Sequence, residues 1–136
     1  MKKQGVLKEQ PKSTVKLPVS NSLPHQFLTL HTLMQTYQKQ FRCQHIAGIW
    51  LKGALIAVGV NQRKTHTLQL KYGKNKWTLY LHAEVDAIKN FLQTHRVASL
   101  RTARMYVYRS GFRSSKPCLG CQRAIANFGI RKVYWT

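Results

Sequence analysis

The stretch Ala103–Thr136, ARMYVYRSGFRSSKPCLGCQRAIANFGIRKVYWT, decides the fold. Its opening, ARMYVYR, is rich in the aromatic and β-branched residues that suit a pleated, half-buried surface, and it predicts a strand. KPCLGCQRAIANFG then sets Cys121, Ala124, Ile125 and Phe128 on one face of a helix, which Gly129 stops. IRKVYWT returns to a strand. Strand, helix, strand in one short run predicts parallel strands joined by a helical crossover.

Upstream the same alternation continues. LHAEVDAIKNF, residues 81–91, predicts a helix after His82 with Ala87, Ile88, Phe91 and Leu92 on its apolar face. Residues 61–77 are polar, carry five Lys or Arg and show no period, so they read as a loop. HIAGIWLKGALIAVGVN, residues 45–61, reads as two short apolar strands turning at Lys52 and Gly53, a tight hairpin. SLPHQFLTLHTLMQTYQKQF, residues 22–41, places Phe27, Leu30, Met34, Tyr37 and Phe41 on a helical stripe, with Ser22 and Pro24 as the start signal. Residues 1–21, with Lys2, Lys3, Lys8, Lys12 and Lys16, form a flexible basic arm in this reading, and residues 22–136 the domain.

The charge is lopsided. Lys and Arg number 23 against 3 acidic residues, a formal net charge of +20. Such a field draws polyanions, above all nucleic acid. No apolar run is long enough to span a bilayer, and no apolar segment follows the basic start as a signal peptide requires, so an intracellular, cytoplasmic protein is expected. Of the three cysteines, Cys118 and Cys121 form a CxxC, which in that setting points to metal or redox chemistry.

His82, Cys118 and Cys121 are the donor types of a zinc site. Two thiolates from one helical turn and an imidazole from another helix balance Zn²⁺ and leave a fourth position open, as catalysis requires. Glu84, two residues after His82, is then placed to move a proton rather than to ligate. Asp86 reads as a helix-dipole charge or as support for the ligands. Each has a plainer reading: a solvated helix acid for Glu84, a redox pair or half a structural zinc knuckle for the CxxC. A structural site needs a fourth ligand, for which Cys43, His45, His66 and His95 are the candidates.

H-x-E opening one helix and P-C-x-x-C opening the next, with a strand between, is the zinc deaminase signature. With HAE at 82–84, HAEVDAI, and KPCLGCQRAI around 117–121, the chain resembles the cytidine deaminase superfamily, and within it the phage-type branch near the deoxycytidylate deaminases. The resemblance implies a three-layer α/β/α sandwich, with an antiparallel first hairpin and parallel later strands, and hydrolytic removal of an exocyclic amine. By position it implies His82, Cys118 and Cys121 as zinc ligands, Glu84 as acid and base, and Asn61, just after the hairpin, as a substrate contact. Two features depart from the family: relatives often continue past the last strand, and the basic loop 110–116 is longer than usual. A compact member that self-associates to cover its sheet edge is one reading of the first departure.

The expected reaction converts a cytosine base to uracil. Resemblance favours a (deoxy)cytidine nucleotide, charge favours cytosine in single-stranded DNA or RNA, and adenine is the nearest chemical alternative. A non-catalytic basic nucleic-acid-binding module with structural zinc is the reading from a different class. In the loop, Phe112 is the candidate to stack on a base, with Arg113 and Lys116 as cations for a phosphate. His66 reads as a surface loop histidine, Cys43 as a small buried residue, and at least one of Tyr106 and Tyr108 as core.

Overall fold

The computed structural model describes residues 24–39, 43–64, 66–72 and 80–136, and the backbone of 15 and 16; at Phe112 too it describes the backbone alone. Readings that fall on Ser22, Phe41, Trp77 and the rest of the arm lie outside the described residues.

Among the described residues, four α-helices and five strands follow in the order β1 (Val15–Lys16), α1 (His25–Gln38), β2 (His45–Leu51), β3 (Ala54–Val60), α2 (Thr67–Leu70), α3 (Ala83–Leu92), β4 (Arg104–Arg109), α4 (Leu119–Asn127) and β5 (Lys132–Trp135). They form one sheet in the order β1-β5-β4-β2-β3. β2 is antiparallel to β3 and β4, while β4 and β5 are parallel, joined through α4 as the strand-helix-strand pattern predicts.

The hairpin turns where the sequence places it. Lys52 and Gly53 both adopt positive φ, 52° and 80°, the two left-handed residues that a right-twisted two-residue hairpin needs. Alternation along β4 then distributes the core. Met105 and Val107 face one side, with Ala47 and Ile49 of β2, under α3 and α4. Tyr106 and Tyr108 face the other, with Ile46 and Trp50, under Phe27, Leu30 and Met34 of α1. Both tyrosines are therefore core. One helix on one face and two on the other make the three-layer α/β/α sandwich, each buried Leu or Phe contributing about 1.5–3 kcal/mol.

α3 lies so close to β3 that a Cβ on Gly59 would meet the backbone nitrogen of Ala87 and the carbonyl of Ala83. Backbone on both sides cannot give way. Gly59→Ala is expected to cost about 3 kcal/mol by overpacking. At Gly53, where the space is open and only the φ is unfavourable, Ala should cost about 1–2 kcal/mol. Urea unfolding of the two variants measures the difference; equal losses would show that the close approach of α3 is not the cause.

Two expectations change. The loop at 61–77 contains the one-turn helix α2, too short to show a period; His66 caps it, its Nδ1 accepting the Leu68 N–H at 3.0 Å, so this histidine is half-buried and structural. Within the basic arm, Val15 and Lys16 pair in parallel with Tyr134 and Trp135 of β5. These two residues thus lie along the outer edge of β5.

Candidate metal centre and catalytic cleft

β3, β4 and β5 run in one direction, and the helices that follow β3 and β4 start at the same end of the sheet. Their first turns bring positive dipole ends together there. His82 is the N-cap of α3 and Cys118 the N-cap of α4. Pro117 precedes the second cap and cannot extend the helix backwards. The Cys118 Sγ accepts the Cys121 N–H at 3.5 Å, fixing one thiol over the helix start.

His82 turns Nδ1 towards both sulfurs, 3.6 Å from Cys118 Sγ and 3.3 Å from Cys121 Sγ. All three donor atoms lie within 4.8 Å of one another. Tetrahedral zinc with Zn–S of about 2.3 Å and Zn–N of about 2.0–2.1 Å holds sulfur and nitrogen about 3.6 Å apart, so the group is placed to bind the ion. Hydrogen bonding from the Cys121 thiol, helped by His82, pushes the Cys118 thiol down to about 4, whereas Cys121, donating to it and buried, is pushed up. The pair therefore shares one proton beside a histidine whose affinity for protons is raised by Cys118. Among the described residues no fourth His, Cys, Asp or Glu joins the group, and Cys43, His45, His66 and His95 stay outside it.

Glu84 is 5% exposed and lies against Cys121. Burial, the largest influence, raises its pKa to about 7. Asp86, two positions further along α3, does different work. Its Oδ2 accepts the Val60 N–H at 3.0 Å and the Gln62 Nε2 at 3.1 Å, and Lys89 Nζ sits 3.2 Å from Oδ1. It locks the start of α3 to the end of β3. Asp86→Ala is expected to cost about 3–5 kcal/mol in chemical denaturation by leaving Lys89 and a backbone donor unpaired, with zinc content unchanged in the folded fraction. Loss of zinc without loss of stability would assign Asp86 to the metal instead.

His82, Glu84 and Cys118 line a cleft of about 730 Å³. Asn61 and Lys116 line it as well. The Oδ1 of Asn61 accepts the backbone N–H groups of Gln44 and His45, at 3.0 and 2.9 Å, so its amide hydrogens are what it has to offer a ligand. Lys116 is exposed at the cleft; Arg113 is exposed too but lines a neighbouring cavity. The side chain of Phe112 lies outside the described residues. The loop is pinned just before Lys116: Ser115 Oγ donates to the Val107 carbonyl at 2.6 Å, and Thr136 Oγ1 donates to the Arg113 carbonyl at 2.8 Å.

One residue behind the cleft escaped the sequence reading, and one within it, His45, was weighed there only as a fourth zinc ligand. Gln69 is buried, and its Oε1 accepts the His82 N–H at 3.0 Å, orienting the ligand from α2. His45 lines the cleft from the start of β2, kept towards its neutral form first by burial and then by the charges of Arg109 and His82. Only Gln69's place in a run already read as loop hid it; for His45 the signal was its position at the head of a central strand.

A zinc-gripping end of an α/β/α sheet, with a protonatable carboxyl buried against one ligand, defines a zinc-type deaminase. Residues 22–136 match the cytidine and deoxycytidylate deaminase zinc-binding region, and the chain belongs to that family. Among solved structures it is similar to the dCMP deaminase from the cyanophage S-TIM5 in apo form, at 19% identity over 83% of each chain with a TM-score of 0.55. The same enzyme in complex with dCMP and dUMP matches at 20% identity over 85% of this chain and 83% of that one, TM-score 0.53. At such identity the likeness is one of fold. No curated protein matches the sequence. Among the described residues no helix is long and apolar enough to cross a membrane.

Proposed function

We propose that the protein hydrolyses the exocyclic amine of cytosine in a (deoxy)cytidine nucleotide, giving uracil and ammonia. Glu84 carries the reading: a carboxyl buried at the cleft floor against Cys121 has no use in a purely structural zinc knuckle. Membership of the family and the likeness to a dCMP deaminase support cytosine as the base. In this reading His82, Cys118 and Cys121 would hold the ion, whose chemistry when bound would be to make water a nucleophile at neutral pH by lowering its pKa to about 7. Glu84 takes one proton from the attacking water and gives it to ring N3, then takes the second from the hydroxyl added at C4 and gives it to the amine, which departs as ammonia. Its raised pKa suits a group that both takes and releases a proton. Asn61 donates its amide hydrogens to the substrate, Lys116 meets the nucleotide's phosphate in the cleft, Arg113 meets a phosphate that reaches the neighbouring cavity, and Phe112 stacks on a base.

The deciding experiment is mass-resolved product analysis with dCMP, CMP and a single-stranded oligonucleotide in parallel. Conversion of cytosine to uracil in at least one is the expected result. Zinc-loaded protein that converts none of them would return the chain to the class of binding modules, and turnover of adenine alone would reassign the base.

A further inference from the structure

A second cavity, of about 490 Å³, adjoins the cleft, and the two share Cys43 and Gln44 in their walls. Arg109, Ser110, Gly111 and Arg113 form its other side. Arg109 ends β4 with His45 as its register partner on β2, so it stands where the two spaces meet. Its Nε is buried and has no hydrogen-bond partner among the described residues. A guanidinium N–H shielded from water without an acceptor is costly, and protein rarely supplies one for nothing.

Among the described residues no side-chain carboxylate is at hand to satisfy it. The chain has 3 acidic residues against 23 Lys and Arg. Asp86 is taken by Lys89, Val60 and Gln62, and Glu84 belongs to the metal centre. Among the described residues the only ion pair is Lys89–Asp86. Gly111, at φ 71° with open space about its Cα, keeps the turn between the two arginines from filling the cavity. The Ser110 N–H donates to the Gln44 carbonyl at 2.9 Å and Gln38 Nε2 to the Cys43 carbonyl at 2.8 Å, so the walls are tied rather than loose.

A mononucleotide does not need this space. The first cleft alone is within the range that encloses a whole small ligand, and Lys116 and Arg63 line it to meet one phosphate. We infer that the second cavity is a subsite for the phosphodiester next to the target nucleotide, held by Arg109 and Arg113, so that cytosine within a single-stranded polynucleotide is a substrate as well as the free nucleotide. This rests on the deaminase reading above and names its substrate class. The arginine fork matches phosphate oxygens in pairs, and each phosphate neutralised releases counterions. The strand must be single because a base inside a duplex cannot reach the cleft.

The test uses the zinc-loaded full chain, dCMP, and oligonucleotides, as DNA and as RNA, with one cytosine. In one version the phosphate 5′ to that cytosine is a neutral methylphosphonate, in another the phosphate 3′ to it. One of the two should lower kcat/KM about tenfold and the other little, as expected for loss of one charge-assisted contact. Arg109→Gln and Arg113→Gln should each lower the oligonucleotide-to-dCMP ratio of kcat/KM about tenfold. In Arg109→Gln the sensitive methylphosphonate should add no further loss. Turnover of dCMP with none of any oligonucleotide would overturn the inference and leave the deaminase reading intact. So would equal sensitivity to both methylphosphonates, or equal cost of the variants on both substrates, which would assign the arginines to the nucleotide's own phosphate. Fluorescence anisotropy on the same oligonucleotides separates the two readings. Binding weakened by one methylphosphonate and by Arg109→Gln, without deamination of anything, would uphold the subsite and defeat the deaminase.

Discussion

Glu84→Gln leaves the chain folded and loaded with about one zinc, and lowers turnover by about 10²–10⁴-fold, the range for loss of a general acid and base. The substitution is nearly isosteric, and at 5% exposure the site tolerates little else. Glutamine keeps hydrogen bonding towards Cys121 but holds no labile proton, so the water cannot be deprotonated nor the leaving amine protonated. The expected loss is in kcat with zinc content and melting temperature close to wild type. Near-normal turnover by a zinc-loaded Glu84→Gln protein would remove the proton-transfer role and with it the reason for preferring an enzyme to a binding module. A variant that loses zinc would instead place Glu84 among the ligands, which the spacing of the His82, Cys118 and Cys121 donors argues against.

Cys121→Ser is expected to abolish both metal and activity. Cys121 is fully buried, its sulfur faces His82 Nδ1 at 3.3 Å, and it packs with Ala124 and Ile125 in the larger core. A serine hydroxyl is a poor zinc ligand and adds a polar group to that core. Ligand linkage sets the scale: a site filled at about 1,000 times its dissociation constant contributes about 4 kcal/mol to stability. Zinc content by mass spectrometry should fall from about one per chain to near none. Wild type stripped with a chelator should lose comparable stability, and adding zinc back should restore wild type but not the variant. An active, zinc-containing Cys121→Ser protein, or stripped wild type of undiminished stability, would defeat the placement of the ion on this helix.

Much of this was legible in the chain. Local rules are enough where the signal is short-ranged: Lys52 and Gly53 turn the hairpin, Gly129 ends α4, and the HAE and PCLGC segments open helices because caps and periodicity act within a few residues. The signature spacing also brought the donor types into view, since one helical turn carries Cys118 and Cys121 whatever the rest of the fold does. Short elements were not legible. α2 is a single turn, and the Val15–Lys16 strand is two residues whose partners lie at the far end of the chain.

What the sequence by itself determined is therefore chemistry and element order: strand, crossover helix, strand, and the residue types of a zinc deaminase. Only the tertiary structure decided what those residues meet. Asp86 became the lock between α3 and β3 because the Val60 N–H and Gln62 converge on it, and nothing in HAEVDAI announces that. Gln69 reaches His82, and Arg109 comes to the border of the cleft with its Nε unpartnered among the described residues, through packing of segments far apart in the chain. Burial and the balance of donors and acceptors are properties of the assembled surfaces, so a residue's role there depends on neighbours that pattern and propensity do not encode.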